Sequence, residues 1–79
     1  MGNKHNGPEP GTKVVLKRVP PGLLDGLPQR DQEAITAIVG QSVRLVDYHD
    51  VGRAELEFTD ERGDIHYIYV KPEYLRPVE

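Results

Sequence analysis

Between Ser42 and Lys71 apolar residues recur at every second position, and this period of two, carried through three segments, most restricts what the chain can build. In RAELEFT, Ala54, Leu56 and Phe58 fall on one side and Arg53, Glu55, Glu57 and Thr59 on the other, the pattern of a strand with one buried face. SVRLVDY, before it, sets Val43 and Leu45 against Arg44, Val46 and Tyr48, so both of its faces are partly covered. IHYIYVK, after it, divides into Ile65, Tyr67 and Tyr69 on one side and His66, Ile68 and Val70 on the other. The aliphatic side is the better core face, which leaves Tyr67 and Tyr69 outside the sheet, near Tyr48. His49 to Gly52 and Thr59 to Asp64 are the hairpin connections, with Gly63 placed for the left-handed position that closes such a turn. A three-stranded meander is the centre of the fold.

Upstream, Val14, Val15, Leu16 and Val19 predict a first strand of about six residues, stopped by Pro20 and Pro21, which have no amide proton for a ladder. PPGLLDGLP combines loop-forming prolines and glycines with three leucines. Leu24 and Leu27 are expected to be its buried pair, one closing the core and one stapling the helix entry, and Leu23 to face a partner. Pro28 suits the first position of a helix over Gln29 to Val39, with Gly40 as terminator and a stripe of Ala34, Ile35, Ile38 and Val39 toward the core. Pro72-Glu73-Tyr74-Leu75 predicts one tight helical turn before a short last strand.

With 79 residues there is room for one small domain. The leader MGNKHNGPEP has no aliphatic residue after Met1 and cannot offset the entropy of being ordered, so residues 1–10 are expected to be disordered and 11–79 to form the domain. No cysteine is present, which excludes a disulfide framework and thiolate metal sites. No apolar run approaches a membrane span, and the leader lacks the apolar centre of a signal peptide, so a soluble, cytoplasmic protein is expected. The formal net charge of −3, with ten basic residues scattered among thirteen acidic ones, gives no general attraction to phosphate backbones.

The element order predicts a mostly β fold: a small SH3-like five-stranded barrel with one short α-helix inserted after the first strand and a one-turn helix before the last strand. IYVKPEYLRPV resembles the close of SH3 domains, in which a Pro- and Tyr-containing turn precedes the final strand and helps to form a peptide groove. Pro72 and Tyr74 stand closer together here than in SH3 domains, and no acidic, tyrosine-rich loop follows the first strand. From Gly11 to Val78 the pattern of GTKVVL, IVGQSVRLV, LEF, HYIYV and PEYLRPV is similar to small bacterial SH3-like accessory chains, the ferredoxin-thioredoxin reductase variable chain and the barrel of nitrile hydratase beta subunits. Catalytic residues in those complexes lie largely on the partner chain. The resemblance therefore implies a non-catalytic accessory module of a larger bacterial complex.

No catalytic constellation stands out. His5 lies in the leader, His49 in a turn, and His66 in a strand with no carboxylate tied to it by spacing, so His66 is expected to be a satisfied, half-buried histidine rather than a base or ligand. The pairs Asp60 with Glu61, Glu55 with Glu57 and Asp47 with Asp50 sit in solvated surroundings that do not separate carboxylate pKa values. Ser42 is the only serine and has no partner, and no glycine-rich phosphate loop or zinc spacing occurs, so no cofactor or metal is expected.

Tyrosines are the better lead, since Tyr48, Tyr67, Tyr69 and Tyr74 make up four of the five aromatic residues. Rigid amphipathic rings anchor interfaces, and these four with Leu23 form the predicted protein-binding set, unless they instead complete a second layer under the loop and helix. Lys13, Lys17, Arg18, Arg44 and Arg53 are the set for the alternative, an RNA- or ribosome-associated barrel in which tyrosines stack bases. An exposed edge strand beside tyrosines could also pair with its own copy, which leaves the oligomeric state open.

Overall fold

The computed structural model describes residues 8–49 and 52–78, so His5, Asp50 and Val51 lie outside the described residues. In chain order these form β1 (Lys13–Leu16), α1 (Gln29–Ala37), β2 (Ser42–Tyr48), β3 (Ala54–Thr59), β4 (Ile65–Val70), a 3-10 turn (Pro72–Tyr74) and β5 (Leu75–Pro77). The strands make one antiparallel sheet in the order β4-β3-β2-β1-β5. The domain is therefore small and mostly β, with five strands, one helix and one 3-10 turn, and its meander runs outward from β2 to the edge strand β4. Among the described residues no helix is long and apolar enough to cross a membrane.

Alternation decides which side chains form the core. Val14 and Leu16 of β1, Val43 and Leu45 of β2, Ala54, Leu56 and Phe58 of β3, Ile68 and Val70 of β4 and Leu75 of β5 pack into one cluster, which Ala34 and Ile35 of α1 join. Val15, between the two inward residues of β1, is buried outside that cluster. No polar or charged side chain is fully buried among the described residues.

Three local differences from the sequence expectation have physical causes. β1 is four residues long rather than six: beyond Leu16 only the Lys17 amide continues the contact, donating to the Tyr74 carbonyl at 2.8 Å, before the chain reaches the two prolines. Pro28 is the N-cap with extended ψ of 150°, not the first helical residue, and its carbonyl accepts the Gln32 amide at 3.0 Å. α1 stops at Ala37, short of Val39, where the Ile38 and Val39 amides tighten to carbonyls three residues back. Gly40 there adopts φ +84° and donates to the Leu16 carbonyl at 2.9 Å, tying the helix end to β1.

β2 carries the difference that matters for function. The register pairs Leu45 with Leu56 and then Asp47 with Glu55, so Val46 is an extra residue in a bulge. One extra residue reverses the alternation, and Tyr48 pairs with Ala54 on the core side. Tyr48 thus packs against the core instead of standing beside Tyr67 and Tyr69.

Candidate functional site

The leucine loop is three successive turns rather than an open excursion. The amides of Leu23, Asp25 and Leu27 donate to the carbonyls of Pro20, Gly22 and Leu24, each at 3.2 Å. Gln32 Nε2 donates to the Leu27 carbonyl at 2.8 Å and fixes the loop to α1. The expected division into a buried pair and an outward leucine does not hold: Leu23, Leu24 and Leu27 are all half-buried and all touch the core cluster.

Leu23 nonetheless borders open space. Together with Pro20, Pro21 and Gly22 it forms one wall of a groove of about 530 Å³, and Tyr69, Val70 and Lys71 at the end of β4, Arg53 before β3 and Tyr74 of the 3-10 turn form the rest. A volume of that size admits several side chains. Four separate segments build it. The Tyr74 amide donates to the Lys71 carbonyl at 3.0 Å and its carbonyl accepts from Lys17, so the 3-10 turn is locked between β4 and the end of β1. The Arg18 guanidinium lies 5.0 Å from the Tyr74 ring centre, a cation-π contact at the rim.

Of the predicted protein-binding residues, the groove brings together Leu23, Tyr69 and Tyr74. Tyr67 stands two residues before Tyr69 on the same outward face, and the two are 54% and 44% exposed. Ile65, on that face too, is exposed, so β4 presents an apolar stripe beside its unpaired edge. Tyr48 is the exception. Its hydroxyl donates to the Pro8 carbonyl at 2.8 Å, and burial first, then the negative charge of Glu9, raises its pKa. Of leader residues 1–10 only 8–10 are described, and they lie where Tyr48 and β2 hold them: Gly11, just beyond, donates its amide to the Leu45 carbonyl at 2.7 Å.

The basic set divides. Lys13 pairs with Arg44 in the β1–β2 register, and Arg44 binds Glu57 at 3.3 Å. Arg53 lines the groove and Arg18 contacts the ring of Tyr74, with Lys17 exposed next to Arg18. Lys71, which the sequence reading did not single out, is the second cation lining the groove. Its signal was positional: the register that pairs Ala54 with Val70 leaves Arg53 and Lys71 as the next residue on each strand.

Two histidine–carboxylate pairs were also missed. His66 Nε2 lies 2.8 Å from Asp60 Oδ2, His66 Nδ1 lies 3.8 Å from Asp31 Oδ1, and the His66 ring stacks on Phe58 with centroids 5.1 Å apart. Asp60 also caps the β3–β4 turn by accepting the Arg62 and Asp64 amides, both at 2.9 Å. The hydrogen bond from His66, followed by those two amides, holds the Asp60 carboxyl below the usual carboxylate range. His66 is half-buried, as expected, but its carboxylate was legible six residues back, across a hairpin that pairs Phe58 with His66. His49 Nε2 lies 2.7 Å from Glu55 Oε1 at the surface, with the His49 ring edge-on to Tyr69 at 5.2 Å. Asp50, the other proposed neighbour of His49, is outside the described residues.

Among the described residues no three His, Asp or Glu side chains come together to hold a metal ion. Among the described residues no serine or threonine hydroxyl hydrogen-bonds to His49 or His66. The groove offers chemistry of another kind, two tyrosine rings and a leucine beside uncompensated cations. No protein-family model, curated protein or solved structure matches the chain.

Proposed function

We propose that this chain is a non-catalytic protein-interaction or accessory module, and that the groove between the leucine loop, Tyr69 and Tyr74 receives its partner. The observation that carries this reading is convergence: Leu23, far in sequence from Tyr69 and Tyr74, lines one open groove with them. Aromatic rings on a rigid scaffold are the residues that dominate binding energies at interfaces. An SH3-like arrangement fits the same reading, since a strand order of β4-β3-β2-β1-β5 with a 3-10 turn before β5 is compatible with it.

The alternative, an RNA- or ribosome-associated barrel, draws support from Arg18, Arg53 and Lys71 standing beside Tyr69 and Tyr74. Against it, Glu55 and Glu57 pair directly with Tyr69 and Tyr67 on the sheet face, where they would repel a phosphate chain laid over both rings.

A photo-crosslinking amino acid placed at Leu23, and separately at Glu61 on the far hairpin, tests the reading in extract of the native cell. A discrete protein adduct from the Leu23 position alone is the expected result. Equal labelling from both positions, or none from Leu23, would overturn it.

A further inference from the structure

We propose that the groove selects an acidic segment of a partner protein, a carboxylate held by Arg53 and Lys71 while a neighbouring apolar side chain packs between Leu23 and Tyr74. This deepens the protein-interaction reading and rests on it. Acidic residues outnumber basic ones thirteen to ten in the whole chain, yet the groove lining holds two cations and no carboxylate. Arg18 on Tyr74 adds a third cation at the rim.

The placement of Arg53 and Lys71 carries the charge argument. They stand one residue beyond the Ala54–Val70 pair at the joined ends of β3 and β4, and both line the groove. On the rest of the sheet Arg44 binds Glu57 although it also faces Lys13 across the β1–β2 ladder, and His49 and His66 hydrogen-bond Glu55 and Asp60. Among the described residues neither Arg53 nor Lys71 has an ion-pair partner. A ligand carboxylate supplies the charge that the chain itself withholds, and a guanidinium can grip it with two parallel hydrogen bonds.

The neighbours of the cations define the rest of the ligand. Pro20 and Pro21 have no amide protons to offer, and Leu23 and the Tyr74 ring form an apolar slot. A carboxylate adjacent to an apolar side chain matches both halves. A polyanion matches less well, because a net charge of −3 and the carboxylates of Glu55 and Glu57 beside the tyrosines oppose a continuous phosphate track. Opposite in sign to a groove that would read basic, proline-rich peptides, this one reads acid.

The test titrates the full chain with three short peptides, one of alternating Glu and Leu, one with Gln for Glu and one with Lys for Glu, and with an oligouridylate, following amide chemical shifts. The Glu peptide should move the amides of Leu23, Arg53, Lys71 and Tyr74, and the Gln peptide should bind about tenfold more weakly, as expected for loss of a charge-assisted contact. Arg53→Gln with Lys71→Gln should erase that difference while leaving the spectrum of the free domain folded. Equal binding of the Gln or Lys peptide, or preferred binding of the oligouridylate in the groove, overturns the inference, as does no shift with any probe. The crosslinking experiment keeps the two readings apart. If the adduct at Leu23 survives the double substitution undiminished, acidic selection is wrong and protein binding stands; if there is no adduct, the broader reading fails.

Discussion

The two ends of β4 are built from the same alternation and have opposite fates. At its start His66 turns inward, stacks on Phe58 and meets the carboxylates of Asp60 and Asp31, and the side chains of His66 and Asp60 are only 12% and 9% exposed. At its finish Tyr69 turns outward and Lys71 follows, beside Arg53, with no carboxylate in the groove they line. One end closes on itself, and the other presents cations without an ion-pair partner among the described residues beside partly exposed tyrosine rings. In a domain this small a polar group is either internally satisfied or turned outward, and the open end is where the proposed partner would dock.

The largest expected effect is at the closed end. Phe58 is buried and supports both the core and the His66 ring, so Phe58→Ala should cost about 3–5 kcal/mol, a large share of the stability of a domain this size. Urea denaturation followed by circular dichroism measures it. A loss below about 1 kcal/mol would mean the closed end is no more structural than the open one and would break the contrast.

A smaller effect sharpens the same contrast through pH. The Asp60 carboxyl is held below its ordinary value in the folded chain, so its contribution to stability is present above the unfolded carboxylate pKa of about 3.9 and is lost as pH falls through the lower folded value. Asp60→Asn should therefore lower the urea midpoint at neutral pH by less than Phe58→Ala does, and flatten the acid limb of midpoint against pH. An acid limb unchanged by the substitution would show that the Asp60–His66 contact does not contribute to the fold's acid sensitivity.

How far the sequence reached differs between the two ends in the same way. Alternation in RAELEFT and IHYIYVK placed Ala54, Leu56, Phe58, Ile68 and Val70 inside and Tyr67 and Tyr69 outside, because a period of two leaves a side chain only two directions. The bulge at Val46 left no mark that alternation could read, since both parities of SVRLVDY carry apolar residues, and it took Tyr48 from the outer face to the core. Leu23, Tyr69 and Tyr74 were each legible as candidates, but nothing local told that one groove joins them. That depends on where the turns of the leucine loop stop and where the 3-10 turn is tied to β1. Lys71 was missed for a simpler reason: it stands just beyond β4, where a residue is read for its role in ending the strand, and the groove it lines is formed by distant segments.

The smallest effect bears on the open end alone. Two cations set side by side without a counter-charge should cost the free domain a little stability, of the order measured for like charges across a ladder. Arg53→Gln should then stabilise the isolated chain by about 0.2–1 kcal/mol at low ionic strength, with the gain shrinking as salt screens the pair. Thermal melts of both proteins across a salt series give the measurement. A destabilising Arg53→Gln would show that the arginine already has a carboxylate within the chain, and the open end would then be as closed as the other. A salt-dependent gain instead would show repulsion in the free state, which a bound carboxylate would relieve and which would make stability at this site and affinity for an acidic partner move in opposite directions.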